Sequence, residues 1–538
     1  MKRVALALSL LLAAPWPASA QHDQHAALGD RLGTVHFETS CAPSTGAEFD
    51  RAIALLHSFE YRPAMESFTK VLAADSSCAI AYWGIAMCQW GNPFAGVKAG
   101  LLLERGREAA QKGLTTGAPT PREKAYLAAV NELYATAVTV PHRDRTLAYA
   151  KATAAVQRDY PSDIEAKIFY ALAVNQTAAP TDKSYAAQLQ AAGILEPLWA
   201  RYPDHPGLPH YIIHAYDHPP LAAKALDAAR RYAKIAPSAP HALHMPSHTF
   251  TRVGSWQESA ETNIASEQEA MKASVMAEAL HAMDYQAYAY LQMAQDQKAR
   301  AVLSRVPGVV AKLDVNAMGG AAPGVAGIYA RNAIAARYAL ERGAWSEAAS
   351  LEVVPTAFPY ADAITHFARA LGAARSGNLV AARADVDRLM VLREALVAAK
   401  DPYWTEQLEI QRQVATAWIT FAEGKKVEGV RLMRVAADAE DATDKAAISP
   451  GPIAPARELL GEMLMEAGTP SEALVAFEAT MKKEPNRFRG AYGAARAAEA
   501  AGDRAKAATL FAQVVTIANA ADGNRPELAH ARAFAQRR

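Results

Sequence analysis

Cysteine is scarce in this chain: only Cys41, Cys78 and Cys88 occur in 538 residues. So few thiols exclude a disulfide-rich scaffold and disfavour catalytic cysteine chemistry. Charge of one sign is also missing, since 56 Lys and Arg face 55 Asp and Glu for a formal net charge of +1. This balance points away from nucleic acid, membrane surfaces and other polyanions as partners.

Long apolar runs are absent after the first residues, so we predict no membrane span. The N-terminus itself reads as a secretory signal. Lys2 and Arg3 precede an apolar stretch of residues 4–14, and Ala18-Ser19-Ala20 is a small-residue cleavage site. We therefore predict a cleaved signal peptide over residues 1–20 and a soluble mature chain in the periplasm or secreted. The alternative, a membrane anchor, is disfavoured because the apolar stretch is shorter than a span requires.

Alanine is abundant while valine and isoleucine are thinly spread, which favours helix over sheet. A 34-residue period is clearest near the C-terminus. Three pairs of identical residues lie 34 positions apart: Gly468 and Gly502, Ala473 and Ala507, Phe477 and Phe511. Pro485 ends the first of these units. A small residue where two helices cross, an aromatic one turn later and a closing proline resemble the tetratricopeptide (TPR) pattern. The resemblance implies an all-α helix-turn-helix solenoid, a right-handed superhelix whose first helices line a concave groove.

The same pattern fits the N-terminal unit, with Ala64 at the crossing and Phe68 after it. Cys41 and Cys78 flank this unit, so we predict that they form a disulfide. We predict that Cys88, beside Met87, is a buried free thiol. We predict five segments. They are a signal peptide over residues 1–20, an N-terminal extension over 21–45, an N-terminal TPR array over 46–306, an irregular insert or boundary over 307–327 and a C-terminal TPR array over 328–538.

Histidine is concentrated between positions 205 and 281. Two His-x3-His pairs stand out, His210 with His214 and His244 with His248. Positions four apart share one helical face, so both imidazoles of a pair can reach a single ion. The two pairs are also 34 residues apart, so they occupy equivalent places on adjacent first helices. The sequence therefore predicts four imidazoles close together on the concave face.

Further polar residues extend this cluster. His241 lies one turn before His244, Asp217 follows His214 by three positions, and the next first helix carries a further set at spacings of three and four: His281, Asp284 and Tyr288. Such ligands suit a transition metal, and we expect zinc or copper in preference to iron. Asp217, Asp284 and Tyr288 are also candidates for acid–base roles. We assign four other histidines to core or surface positions: His57, His205, His218 and His366.

A metal-free alternative stays open, in which the histidines form a polar surface that recognises a carboxylate ligand or a peptide. Metal-dependent catalysis also stays open, although it is disfavoured because the sequence contains no His-Glu-x-x-His motif, no nucleophile elbow and no phosphate-binding glycine loop. A second, weaker constellation lies near the C-terminus on two successive first helices: Glu458, Glu462, Arg489, Tyr492 and Arg496. The TPR resemblance makes it a peptide-binding groove, and the alternative is a solvated face with ion pairs.

Two short phrases, Gly91-Asn92-Pro93-Phe94 and His244-Met245-Pro246-Ser247-His248, resemble those of exported bacterial TPR proteins. That resemblance supports the fold and the location but implies no defined activity. We expect a transition-metal site on the concave face of an extracytoplasmic TPR solenoid, serving metal-dependent binding or catalysis. The alternative is a metal-free scaffold that holds a peptide or a partner helix in the groove.

Overall fold

The structure is a computed structural model that describes residues 31–98, 100–179, 181–317 and 320–536. The predicted signal peptide of residues 1–20 lies outside the described residues, as does the predicted N-terminal extension before residue 31. Within the described ranges every regular element is a helix and no strand occurs. The predicted all-α solenoid of helical hairpins is therefore confirmed.

In the described residues, successive helices pack against one another. The first eight are α1 Gly46–His57, α2 Tyr61–Ala74, α3 Ala79–Trp90, α4 Leu101–Thr116, α5 Pro121–Asn131, α6 His142–Asp159, α7 Ile164–Gln176 and α8 Ala186–Arg201. The middle of the chain forms α9 Gly207–Tyr216, α10 Leu226–Ile235, α11 Pro240–His244, α12 Pro246–Val253, α13 Trp256–Lys272, α14 Met276–Gln292 and α15 Asp296–Val310.

The C-terminal part continues the same arrangement. Its helices are α16 Gly324–Leu340, α17 Trp345–Ala349, α18 Pro359–Arg375, α19 Leu379–Ala398, α20 Pro402–Ala422, α21 Lys426–Asp441, α22 Ala456–Ala467, α23 Pro470–Lys483, α24 Phe488–Ala500, α25 Arg504–Ile517 and α26 Pro526–Gln536. Residues 311–323 separate α15 from α16, so the irregular stretch is shorter than the predicted 307–327. Among the described helices, none has both the length and the apolar character needed to cross a bilayer.

Close helix packing explains the residue types of the repeat. Ala64, Ala473 and Ala507, predicted at helix crossings, are buried. The aromatic of the repeat fills the space left by a glycine on the next first helix. A Cβ added at Gly493 would lie 2.3 Å from the ring of Phe477. Small residues at these positions therefore let neighbouring helices approach closely.

The array closes on itself, because the C-terminal helices pack back against α13–α15. Trp256 donates a hydrogen bond from Nε1 to the carbonyl oxygen of Asn486 at 2.7 Å. Farther along, Arg525 pairs with Asp296 at 2.6 Å. The middle of the solenoid is therefore covered by chain that lies more than two hundred residues away in sequence.

A loop between α21 and α22, residues 442–455, runs across the inner face of the middle helices, and we call it the strap. Its Lys445 contacts Asp217 at 3.3 Å. The strap residue Ser449 accepts a hydrogen bond from Tyr285 at its carbonyl oxygen, at 3.2 Å. This face was predicted to line a concave groove. It is instead buried beneath a segment from the C-terminal array.

The predicted cysteine pair, Cys41 and Cys78, forms a disulfide that joins the segment before α1 to the start of α3, and Cys88 is a buried free thiol.

We expect the Cys41→Ser, Cys78→Ser double variant to lose about 2–4 kcal/mol of free energy of unfolding. The physical reason is that the crosslink restricts the unfolded chain. Urea unfolding would measure the loss, with Cys88→Ala as the control that keeps the crosslink. Equal midpoints for the double variant and the wild type would contradict the expectation.

Candidate metal site

Six histidines from four helices meet beneath the strap. They form two groups of three whose ligand atoms lie within 4.8 Å of one another. We call them the first triad, His210, His214 and His241, and the second triad, His244, His248 and His281. Five of the six are buried, and His214 is half-buried.

The local sequence explains how the rings come to face inward. The pair on α9 lies on one face of a continuous helix, as the four-residue spacing requires. The second pair spans a helix break, because Pro246 has no N–H to continue the hydrogen-bond ladder of α11 and starts α12 instead. The buried Phe59 ring stacks on His241 at 5.4 Å between centroids. The rings are therefore fixed by aromatic packing as well as by helix geometry.

In each predicted pair the two Nε2 atoms point at one another. They are 3.1 Å apart between His210 and His214, and 3.0 Å apart between His244 and His248. Two imidazole nitrogens on one tetrahedral ion, with bonds of about 2.0–2.1 Å, lie roughly 3.3 Å apart. The observed spacing is therefore close to that of two histidine ligands of the same ion.

The opposite nitrogen, Nδ1, is held by an acceptor in three of these rings. His210 donates to the carbonyl oxygen of His57 at 2.5 Å, and His248 to the Asp217 carboxylate at 2.8 Å. His244 faces the amide oxygen of Asn263 at 2.7 Å. That oxygen is identified because the Asn263 amide nitrogen donates to the Ser259 carbonyl oxygen. Nδ1 therefore carries the proton and Nε2 presents a lone pair, as in metal-ligating histidines whose other nitrogen is held by an acceptor.

Neutral imidazoles arranged in this way cannot satisfy one another. His244 and His248 both have a lone pair at Nε2, so no proton joins them. The Tyr285 hydroxyl lies 3.4 Å from the Nε2 atom of His248, whereas among the described residues both ring nitrogens of His241 and the Nδ1 atom of His281 have no hydrogen-bond partner. Buried polar atoms without partners are costly, so these nitrogens are candidates to bind a cation or another ligand.

Burial determines the protonation of the cluster. Loss of hydration lowers the pKa of His210 and of His281 to about 3. Burial, followed by the neighbouring imidazoles, lowers the pKa of His214, His241 and His244 well below the ordinary value. At neutral pH the rings are therefore uncharged, which is the form that binds a metal.

The two carboxylates predicted as further ligands have other partners. Asp217 accepts a hydrogen bond from the Nδ1 atom of His248 and also pairs with Arg252 at 2.8 Å. Burial would raise the pKa of Asp217, but Lys445, Arg252 and His248 outweigh that effect and hold the pKa far below its usual range. Asp284 is fully buried and paired with Arg337 at 2.5 Å, and neither carboxylate belongs to a triad. Tyr288 is hydrogen-bonded by Arg487 at 2.6 Å rather than directed at the triads.

A third buried cluster joins His57 and His205, which were predicted at core or surface positions, to Glu165. The sequence did not indicate this cluster. Glu165 contacts the Nε2 atoms of both rings, at 2.8 Å and 2.9 Å. Burial alone would raise the pKa of Glu165, but His57 and His205 outweigh it and hold that pKa well below its usual range. Since the His57 carbonyl also holds His210, this cluster positions the first triad. No spacing could reveal it, because its members lie 40 and 108 residues apart.

The constellation predicted near the C-terminus is mostly internal. Glu458 is buried and pairs with Arg487 at 3.1 Å, so it does not line a groove surface. Glu462 pairs with Arg489, and the Tyr492 hydroxyl lies 3.2 Å from Nδ1 of His530. Arg496 is exposed. The predicted peptide groove is thus largely an ion-pair network inside the closed array.

A cavity of about 100 Å³ lies on the far side of two glutamates that contact His241. Its walls include Glu60 and Glu278 but none of the six histidines. Glu60 accepts the backbone N–H of His241 at 3.2 Å, and Glu278 lies 3.9 Å from the Nδ1 atom of the same residue. These two glutamates therefore connect the cavity wall to the first triad.

No protein-family model matches the sequence, and no curated protein matches it. Solved structures of similar fold include yeast Tom70, with 12% identity and a TM-score of 0.34, covering 92% of this chain and 96% of that one. The APC/C hetero-tetramer Cut9–Hcn1 matches with 12% identity and a TM-score of 0.34 over 92% and 89% of the two chains. The TPR domain of P58(IPK) matches with 12% identity and a TM-score of 0.21 over 69% and 97%.

Proposed function

We propose that this protein is a metalloprotein that binds a transition metal through the histidines of its two triads. The observation that carries the proposal is the facing of Nε2 atoms at 3.0 Å and 3.1 Å in the two pairs, with the Nδ1 proton held by an acceptor in three of the four rings. A cation bound by the facing nitrogens removes the repulsion of the two lone pairs in the His244–His248 pair. Imidazole ligands without a carboxylate suit zinc or copper.

The proposed role is metal-dependent binding or a metal-assisted reaction at a site shielded from bulk water. Three histidines per triad leave a coordination position open on a tetrahedral ion. The predicted signal peptide supports a place for this function outside the cytoplasm.

Elemental analysis of protein purified without chelators tests the proposal. We expect near-stoichiometric zinc or copper in the wild type, and none in the variant that replaces both pairs by alanine: His210, His214, His244 and His248. The matched control, His36→Ala with His530→Ala, removes two histidines away from the triads and should keep its metal. A second measurement needs no variant: chelated wild type should gain thermal stability when the metal is restored.

A folded wild type that contains no metal, and takes up none on dialysis against zinc or copper, would overturn the proposal. Helical circular dichroism would show that each variant has folded.

The second candidate is a metal-free interaction scaffold that binds a peptide or partner helix. Its support is the solenoid architecture, since stacked helical hairpins present extended surfaces for partners. The same four-alanine variant separates the two candidates. A scaffold would retain a co-purifying partner after loss of the histidines, whereas a metal-dependent function would be lost together with the ion.

A further inference from the structure

We propose that the site holds two ions side by side, one in each triad, and that both ions are copper. This inference rests on the proposed metal-binding function and extends it to the number and the kind of ion. Six imidazoles exceed the four positions of one tetrahedral ion. Each triad has its own facing Nε2 pair, at 3.1 Å in the first and 3.0 Å in the second.

The repeat builds both triads by the same rule. The first triad takes a pair from α9 and a third histidine, His241, from the next first helix. The second triad takes the pair His244 and His248 and a third histidine, His281, from the first helix that follows. Each site is thus a His-x3-His pair completed across one helix–helix interface, and two successive repeats give two sites.

The two sites are adjacent. Across the boundary between the triads, ring centroids are 6.1 Å apart for His241 and His244 and 6.4 Å apart for His214 and His248. Within the triads the centroid distances range from 4.4 Å, between His244 and His281, to 6.4 Å, between His214 and His241. Two ions can therefore be close neighbours without sharing a histidine.

Charge favours copper. Both triads consist of imidazoles alone, and two nearby carboxylates are already matched by cations: Asp217 by Arg252 and Lys445, and Asp284 by Arg337. Glu278 lies 3.9 Å from His241 but belongs to neither triad. The cost of burying an ion rises with the square of its charge, so a divalent ion costs roughly four times as much as a monovalent one. Copper is the imidazole-binding metal that is also stable as a monovalent, three-coordinate ion. The cluster therefore suits a cuprous pair better than two zinc ions.

Counting ions in wild type and pair variants tests the inference. The full-length mature chain would be loaded with cuprous ion without oxygen, desalted and weighed by native mass spectrometry. We expect two copper ions in the wild type and in the His36→Ala, His530→Ala control. One ion should remain in His210→Ala with His214→Ala, and one in His244→Ala with His248→Ala. The remaining ion itself reports that each variant has kept its fold.

One ion in the wild type and none in either variant would overturn the two-site inference but leave the proposed function standing. No ion in the folded wild type would overturn both. Copper and zinc offered together at equal concentration test the kind of ion. Retention of two copper ions supports the assignment, and retention of zinc overturns it.

Discussion

Metal-free protein should lose stability steeply as the pH falls below about 6.5. Burial lowers the pKa of all six triad imidazoles. In the unfolded chain these groups titrate near 6.5. Between the pKa in the folded state and the pKa in the unfolded state, the unfolded chain binds more protons. The contribution of these imidazoles to the free energy of unfolding is therefore fully present above about pH 6.5. It falls as the pH moves toward about 3, the pKa of His210 and His281.

Buried carboxyls oppose this trend. Burial raises the pKa of Glu60 to about 8 and that of Glu278 and Glu440 to about 7. These groups hold protons in the folded state, so their effect on stability becomes less favourable as the pH rises from the ordinary carboxyl pKa to the raised values. The six triad imidazoles outnumber these three carboxyls, so the free energy of unfolding should still fall as the pH drops below about 6.5. Maximum stability should lie near pH 6.5–7.

Thermal unfolding of chelated protein between pH 7 and pH 5 measures this dependence on pH. The four-alanine variant of the proposed-function experiment is the matched control, and its melting temperature should depend less on pH. Metal-loaded wild type should keep its melting temperature to lower pH, because bound ions compete with protons for Nε2. A melting temperature of chelated wild type that does not change between pH 7 and pH 5 would contradict the prediction. It would mean that the folded chain binds protons at the triads as readily as the unfolded chain does.

Replacing Arg487 by methionine should destabilise the protein by about 5 kcal/mol. The Arg487 guanidinium is buried and contacts Glu341 at 2.8 Å, Glu458 at 3.1 Å and the Tyr288 hydroxyl at 2.6 Å. These partners belong to three other helical hairpins. Methionine fills much of the volume but removes the cation bonded to Glu341 and leaves Glu458 with only the 3.7 Å contact to Arg489. Removing one partner of a buried pair costs about 3–5 kcal/mol.

The control for this prediction is Arg431→Met, which removes an exposed arginine that pairs with Glu428 on the same helix. Exposed pairs of this kind contribute little to stability, so its urea midpoint should stay near that of the wild type. Equal midpoints for the Arg487 and Arg431 variants would contradict the assignment of Arg487 as the centre of the buried network.

Repetition made much of this protein predictable. The 34-residue period places His210 and His244 at equivalent positions, and the structure brings their pairs together in one cluster. Small crossing residues and glycine-led turns are local signals, so helical hairpins follow from neighbours in sequence. The Cys41–Cys78 disulfide could be paired for the same reason, because both cysteines flank one hairpin.

The parts that could not be predicted depend on contacts between distant segments. Nothing near Lys445 indicates that the strap crosses the histidines, since its contact with Asp217 spans 228 residues. The partner of Asp284 is Arg337, which lies 53 residues away in another hairpin. Glu458 was expected at a groove and is buried, because a repeat pattern defines how each hairpin packs on the next but not how the array curves back on itself.

That return of the chain changes how the protein should fold. An ordinary solenoid has contacts only between adjacent repeats, so its units can unfold one after another from either end. Here Trp256 with Asn486 and Asp296 with Arg525 join segments separated by 230 and 229 residues. The C-terminal hairpins are therefore part of the same cooperative unit as the middle of the chain. Folding of this solenoid is slowed by the closing of a long loop, as in proteins with high contact order.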